Sequence, residues 1–278
     1  MPHFKTSDGL NLHYTDRGAG VPVLCLAGLT RSGRDFDFVA PHLSDVRLIT
    51  LDYRGRGDSD WAHDITTYSV HIESRDVKQL LDHLGLDRVA ILGSSRGGLN
   101  AMYFATFAKH RLLGVALNDV GPKLEQAGLH VIADYLGQRP AAKTYQQAAE
   151  ARARSATEFA NVPMSRWLEE ARILYTQKSD GLHLNYDPSL RDAVIDTFRT
   201  AGDVEAWPLF QALEGLPCAL IRGANSTLLS NETAHEMKRR MPQMHLCNVP
   251  DRAHIPFLDE PDSVATLTAW IGEIKDGL

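Results

Sequence analysis

The sequence contains few cysteines and no excess of basic charge. Its 278 residues include three cysteines, none of them in a Cys-x-x-Cys pair, so neither a disulfide framework nor a zinc site is expected. The net charge is −6, from 29 basic and 35 acidic residues, so the chain lacks the excess of positive charge that is typical of nucleic-acid-binding proteins. No apolar run approaches the roughly 18 residues that a membrane span requires. These absences exclude disulfide-scaffold, nucleic-acid-binding and membrane-spanning proteins.

The opening residues also lack a targeting signal. The stretch MPHFKTSDGL contains no secretory apolar region, so we expect a cytoplasmic protein. With 44% hydrophobic and 23% charged residues, the chain has the composition of an ordinary globular protein.

Short apolar runs alternate along the chain with longer segments of helical periodicity. This alternation is typical of a mainly parallel sheet covered by helices, an α/β fold. Several runs are continuously apolar, as expected of strands buried on both faces. The predicted strands are residues 10–14, 21–26, 46–51, 89–92, 113–117, 218–221 and 244–249.

Residues 123–205 have a different pattern. They contain four helix-like stretches and no convincing strand, and they lie between Gly121-Pro122 and Trp207-Pro208. We predict an α/β core made of residues 1–122 and 206–278, with a helical cap at 123–205 inserted after the fifth parallel strand. Such a cap would cover the carboxyl edge of the sheet, where open α/β sheets bind their ligands.

The segment Gly93-Ser94-Ser95-Arg96-Gly97 combines a predicted strand before it with a predicted helix after it. Glycines two residues either side of Ser95 allow the sharp strand-to-helix turn that lifts a serine hydroxyl out of the sheet edge. Ser94 lacks such flanking glycines. We therefore predict Ser95 as a nucleophile.

A serine hydroxyl needs a general base, and its reaction needs two N–H donors for the developing oxyanion. Among twelve histidines, His254 lies in a loop between the last predicted strand and the last predicted helix, which makes it the candidate base. The expected N–H donors are Arg96, which directly follows Ser95, and Leu29, in the turn after the strand at 21–26.

Six segments together resemble the α/β-hydrolase fold family, in particular serine hydrolases with a helical cap. The resemblance implies a mostly parallel eight-stranded sheet flanked by helices, a Ser–acid–His triad, no cofactor or metal, and an ester-like small-molecule substrate. It is compatible with two oligomeric states, a monomer and a homodimer. The segments are LAGLT, DYRGRGDS, GSSRGG, LNDVGP, LIRGANSTLLS and the loop around His254. In DYRGRGDS, we favour a structural role for Asp52, Arg54 and Gly57, in a tight polar turn near the site.

The acid of the triad departs from the family pattern. The family usually places an aspartate after the seventh strand, in a Gly-x-x-Ser-Asp pattern, but here Thr227 occupies that position. Asp119 ends the preceding strand, where some lipases and dehalogenases carry their acid, and we take it as the acid of the triad. Three alternatives stay open: Asp119 only closes a turn, another carboxylate acts, or the protein has no acid and is weakened.

Arg96 places a charge beside Ser95. Its stem could cover the surface, or its guanidinium could face the pocket and attract a substrate carboxylate.

The favoured function is hydrolysis of a small carboxylic ester, lactone or similar acyl compound through an acyl-enzyme. The alternatives are carbon–carbon bond hydrolysis and a ligand sensor with slow turnover, the latter favoured by Thr227.

Overall fold

The apolar runs of the sequence form one eight-stranded sheet. The computed structural model describes residues 2–201 and 205–278. All seven predicted strands are present, with an additional short strand near the N-terminus. The strands are β1 (His3–Lys5), β2 (Asn11–Gly18), β3 (Val21–Leu26), β4 (Val46–Leu51), β5 (Val89–Ser94), β6 (Leu112–Asn118), β9 (Cys218–Gly223) and β10 (His245–Val249).

The sheet has the order β1-β2-β4-β3-β5-β6-β9-β10. From β4 to β10 all neighbouring strands are parallel, whereas β1 and β2 join antiparallel at one edge. The predicted α/β-hydrolase architecture is therefore confirmed. Because parallel strands end at the same edge, the chain segments that follow β3, β5, β6, β9 and β10 meet at one side of the sheet.

Helices cover both faces of this sheet. Along β3, Leu24 and Leu26 join one hydrophobic cluster while Val23 and Cys25 join another, because successive side chains of a strand point to opposite faces. One cluster includes α1 (Val70–His83), α2 (Arg96–Ala108), α7 (Trp207–Gln211) and α8 (Asn231–Arg240). The other contains α9 (Pro261–Asp276), whose buried stripe includes Leu267, Trp270 and Ile274.

The chain between β6 and α7 forms a separate layer of elements. We call the segment from α3 to α6 the inserted segment. A small cluster of its own, including Ala149, Trp167 and Leu182, packs α4 and α5 together. The segment consists of α3 (Gln126–Tyr135), α4 (Tyr145–Ser155), α5 (Met164–Leu174), β7 (Tyr175–Lys178), β8 (Gly181–Leu184) and α6 (Leu190–Ala201).

Two sequence predictions for this region are wrong. The segment is not purely helical, because β7 and β8 form an antiparallel hairpin. The segment was also predicted to follow the fifth parallel strand, but it follows β6, which is only the fourth parallel strand, because β2 is antiparallel. Along the chain β6 is the sixth strand rather than the fifth, because β1 was not predicted. The domain boundaries at 122/123 and 205/206 stay predictions.

None of the helices within residues 2–201 and 205–278 combines the length and the hydropathy that a bilayer crossing requires.

Candidate active site

Ser95 occupies a tight turn between β5 and α2. Its backbone has φ 49° and ψ −114°, a conformation that non-glycine residues rarely adopt and that costs about 1–3 kcal/mol. A Cβ at Gly93 would collide with the backbone of Gly97, and one at Gly97 would collide with the carbonyl oxygen of Leu26. The two glycines therefore allow the close approach that this turn requires. The Ser95 N–H donates to the carbonyl of Asn118 at 3.0 Å, which fixes the turn to β6.

His254 lies beside Ser95, in the loop between β10 and α9. Its Nε2 is 3.0 Å from Ser95 Oγ, and its Nδ1 is 2.8 Å from Asp119 Oδ2. The side chain of His254 is 18% exposed and that of Asp119 is fully buried. The structure thus brings the three predicted residues into one hydrogen-bonded chain.

Asp119 directly follows β6, and both of its carboxylate oxygens have protein partners. The Gly223 N–H donates to Oδ1 at 2.9 Å, and the Ser226 hydroxyl donates to Oδ2 at 2.6 Å. These donors hold the carboxylate in the orientation that faces His254. Asp119 therefore contacts His254 directly and does more than close a turn.

The loop after β9, where the family usually carries its acid, supplies hydrogen-bond donors instead. Ser226 was not singled out from the sequence, although it lies inside the segment LIRGANSTLLS. Its hydroxyl also accepts the N–H groups of Leu228 and Leu229, at 3.2 and 3.1 Å. Thr227 is exposed to solvent.

The two predicted N–H donors belong to Arg96, which directly follows Ser95, and to Leu29, which lines the same cavity as Ser95. Arg96 is the first residue of α2, where backbone N–H groups lack an intrahelical partner, and Leu29 lies in the loop after β3. Within the described part of the chain, neither N–H enters a backbone hydrogen bond. Leu29 and Ser95 line the same cavity.

A buried network of charges connects the segments that carry these two N–H groups. Arg56 Nε donates to the carbonyl oxygen of Leu29 at 2.8 Å, and Arg56 Nη1 lies 2.9 Å from Glu73 Oε1. Arg96 Nε donates to Glu73 Oε2 at 2.7 Å. Both expectations for the Arg96 side chain are therefore wrong: it neither covers the surface nor faces the pocket, because Glu73 binds it inside the protein.

Glu73 is the carboxylate that joins the two arginines of this network, and its side chain is fully buried. Burial raises the pKa of a carboxyl, but the charges of Arg96 and Arg56 outweigh that effect and hold the pKa of Glu73 below its ordinary value. Glu73 is therefore ionised at neutral pH and pairs with both arginines, which leaves one positive charge in excess.

The DYRGRGDS segment forms the polar turn that the sequence predicts. Asp52 accepts the N–H groups of Gly33 and Asp58, at 2.7 and 3.0 Å, and lies 3.1 Å from His13 Nδ1. In the described part of the chain, His13, Asp52 and Asp58 also bring three potential metal-ligand atoms within 4.8 Å of one another. Because backbone donors already occupy Asp52, these contacts are those of a structural turn.

Ser95 and His254 open into a cavity of about 110 Å³. Its walls combine the loop after β3 with residues of the inserted segment and of the His254 loop. Most of the wall is apolar or aromatic, including Phe36, Phe38, Ile132, Phe159, Trp167 and Phe257. Cavities of ~150 Å³ take up a benzene molecule, so the space beside Ser95 suits a small group.

Charged residues also line this cavity. Arg31 donates to Asp35 at 2.6 Å and to Glu170, on α5, at 2.8 Å. Burial raises the pKa of Asp35 to about 6, although the Arg31 charge opposes that rise. Arg152, on α4, is the second arginine of the wall.

Comparison with known proteins places the chain in a family. Residues 21–261 match the model of the alpha/beta hydrolase fold. The chain belongs to the α/β-hydrolase fold family. It is an enzyme of the hydrolase type.

Relatives and solved structures that are similar to this hydrolase are named hydrolases as well. A 3-hydroxybutyrate-oligomer hydrolase of Cupriavidus necator is 36% identical over 252 residues, which cover 87% of this chain and 85% of that protein. A soluble epoxide hydrolase of Corynebacterium is 32% identical over 127 residues, 45% of this chain and 44% of that protein. The crystal structure of an alpha/beta hydrolase from Novosphingobium aromaticivorans matches with a TM-score of 0.90 and 35% identity, over 98% of this chain and 97% of that one.

Proposed function

We propose that this hydrolase cleaves a small carboxylic ester through an acyl-enzyme on Ser95. The observation that carries the proposal is the hydrogen-bonded chain Ser95–His254–Asp119, with distances of 3.0 and 2.8 Å. A serine, a histidine and a buried carboxylate in this arrangement are the components of nucleophilic acyl transfer.

In the first half-reaction, Ser95 Oγ attacks the ester carbonyl while His254 Nε2 accepts its proton. The N–H groups of Leu29 and Arg96 bind the negative oxygen of the tetrahedral intermediate. Asp119 stabilises the positive charge on His254. His254 then returns the proton to the departing alcohol, and the acyl group stays bonded to Ser95.

In the second half-reaction, water attacks the acyl-enzyme. His254 takes a proton from the water, the same N–H groups bind the second oxyanion, and Ser95 leaves with its proton restored. The products are a carboxylic acid and an alcohol.

Two observations support an ester as the substrate. The Cupriavidus necator relative is named for oligomers of 3-hydroxybutyrate, a hydroxy acid whose units are joined by ester bonds. The cavity beside Ser95 suits a short acyl group. Epoxide opening is disfavoured, because epoxide hydrolases of this fold use an aspartate where this chain has Ser95.

We also propose that residues 123–205 act as a cap over this cavity. Ile132 of α3 and Trp167 and Glu170 of α5 are among the residues that line it, which supports this role. The substrate range would then depend on the inserted segment.

The test is labelling with a fluorophosphonate, followed by peptide mapping and by turnover of p-nitrophenyl butyrate. We expect rapid stoichiometric attachment at Ser95, and loss of both labelling and turnover in Ser95→Ala. Slow or absent labelling of folded protein would overturn the proposal and favour a ligand sensor. Labelling at Ser95 with cleavage of a β-diketone but no ester turnover would favour carbon–carbon bond hydrolysis.

A further inference from the structure

The wall of the cavity beside Ser95 carries two arginines, and the structure treats them differently. Arg31 is bound on both sides, by Asp35 and by Glu170. Both of those carboxylates line the cavity, and each directs an oxygen at the Arg31 guanidinium. Arg31 is therefore compensated and offers little positive charge to a ligand.

Arg152 is not compensated in this way. It lies in the last turn of α4, its side chain is exposed, and its guanidinium carbon is 6.0 Å from the ring centroid of Trp167. Among the residues that the structure describes, no carboxylate forms an ion pair with Arg152. It is thus a cation available at the wall of a largely aromatic cavity.

An arginine in such a place suits a planar anion. A guanidinium binds a carboxylate through two parallel N–H donors, and these charge-assisted hydrogen bonds are about twice as strong as neutral ones. Because Arg152 is exposed, water screens part of this attraction, and the paired N–H donors carry the preference for a carboxylate. The preferred ligand of this part of the cavity is therefore a carboxylate.

We propose that Arg152 binds a free carboxylate of the substrate, so that this hydrolase prefers esters that carry a negative charge over neutral ones. This inference rests on the proposed ester hydrolysis at Ser95. The fitting chemical class is a short linear oligoester of a hydroxy acid, because such a chain contains ester bonds and ends in a carboxylate.

The experiment compares two substrates that differ only in this charge. One is the linear dimer of 3-hydroxybutyrate, and the other is the same dimer with its carboxylate replaced by a carboxamide. Cleavage of the internal ester is followed by chromatography of the products. We expect the wild-type enzyme to favour the acid by about tenfold in kcat/KM, since tenfold corresponds to the contribution of one charge-assisted contact.

The variant Arg152→Gln should lose this preference, because its kcat/KM for the acid should fall to about its kcat/KM for the carboxamide. The matched control is Arg154→Gln, which removes the same charge from the same helix at an exposed residue outside the cavity wall. It should keep the wild-type preference. A preference that persists in Arg152→Gln, or that falls equally in both variants, would overturn the proposal.

A binding measurement separates this proposal from the proposed reaction. In Ser95→Ala, calorimetry should show tighter binding of 3-hydroxybutyrate than of its amide, and Arg152→Gln in that background should remove the difference. If neither ester is cleaved but this difference is found, the carboxylate site stands and the ester hydrolysis is wrong. If p-nitrophenyl butyrate is cleaved through Ser95 and neither assay distinguishes acid from amide, the carboxylate site is wrong.

Discussion

At the scale of single residues, the position of the acid decides whether this site is complete. The Asp119 carboxylate receives hydrogen bonds from Gly223 and Ser226 and faces His254, all within 2.9 Å. The loop after β9 has Thr227 where the family usually has its acid, but it still contributes to the site by fixing the carboxylate of Asp119, which follows β6. The geometry favours a complete triad over a weakened one.

We expect Asp119→Asn to lower the turnover of p-nitrophenyl butyrate by roughly a hundredfold or more. The amide cannot stabilise the charge on His254, and it can hold the imidazole in the wrong tautomer. The matched variant is Thr227→Val, at the exposed residue where the family usually has its acid, and it should change turnover little. The measurement is kcat, with the melting temperature showing that each variant is folded. Wild-type turnover in Asp119→Asn would mean that a different group acts as the acid.

The site residues that could be found from the sequence each have a recognisable pattern within a few positions along the chain. Ser95 lies in a turn whose glycines are within two positions, and His254 and Asp119 each follow a predicted strand. Ser226 has no such signal, because its partner Asp119 is 107 positions away and a serine in a loop is common. Its role depends on β6 and β9 being neighbours in the sheet.

At the scale of elements, the network Arg56–Glu73–Arg96 connects three parts of the fold. Arg56 lies in the turn after β4, Glu73 on α1 and Arg96 at the start of α2. Arg56 binds both the carbonyl of Leu29 and Glu73, and Arg96, in the first turn of α2, binds the same Glu73 carboxylate. The two peptide segments expected to bind the oxyanion are therefore fixed relative to each other by buried charges.

We expect Arg56→Met and Arg96→Met each to lower kcat about tenfold with little change in KM. Each variant leaves one arginine paired with Glu73, so no buried charge is uncompensated and the protein should fold. The N–H donors themselves are retained, so the loss should be smaller than the roughly hundredfold that follows removal of an oxyanion donor.

The control is Arg239→Met, which removes an arginine from an exposed pair with Glu236 on α8. It should leave kcat and the melting temperature close to wild type. Equal kcat in wild type, Arg56→Met and Arg96→Met would show that the network serves stability only.

The regular elements could be predicted more fully than their contacts. The strands of the parallel sheet are apolar runs, and burial on both faces requires that composition. The hairpin β7–β8 was missed because each of its strands has four residues and three of the four in β7 are exposed, which leaves almost no apolar signal. The Arg96 ion pair was missed because Glu73 is 23 positions away, on another helix.

At the scale of the whole molecule, polar contacts fasten the inserted segment to the core around the cavity. Arg31 binds Glu170 of α5, Arg252 donates to the carbonyl of Ala160 at 3.0 Å, and Asn225 donates to that of Glu158 at 2.8 Å. These contacts join the inserted segment to the loops after β3, β9 and β10. The charges beside the cavity therefore contribute to the stability of the fold. Burial raises the pKa of one of them, Asp35, to about 6, so the contribution of Asp35 changes with pH.

Two opposing effects act on Asp35, and the balance between them predicts a pH dependence of unfolding. Burial raises its pKa from 3.8 to about 6, and the Arg31 charge opposes the rise without cancelling it. The folded protein thus holds this proton more tightly than the unfolded chain. Its stabilising contribution is complete below about pH 4 and is lost as the pH rises through about 6.

We therefore expect the free energy of unfolding of the wild type, relative to Asp35→Asn, to fall by on the order of 2 kcal/mol between pH 4 and 7. The comparison removes the contribution of every other titrating group, because both proteins share them. Urea unfolding at several pH values measures it, and Asp37→Asn, two positions along at an exposed carboxylate, should run parallel to the wild type. If the free energy of unfolding of the wild type instead rises with pH relative to that of Asp35→Asn, the ion pair with Arg31 outweighs burial. Asp35 is then held ionised and fixes Arg31 beside the cavity.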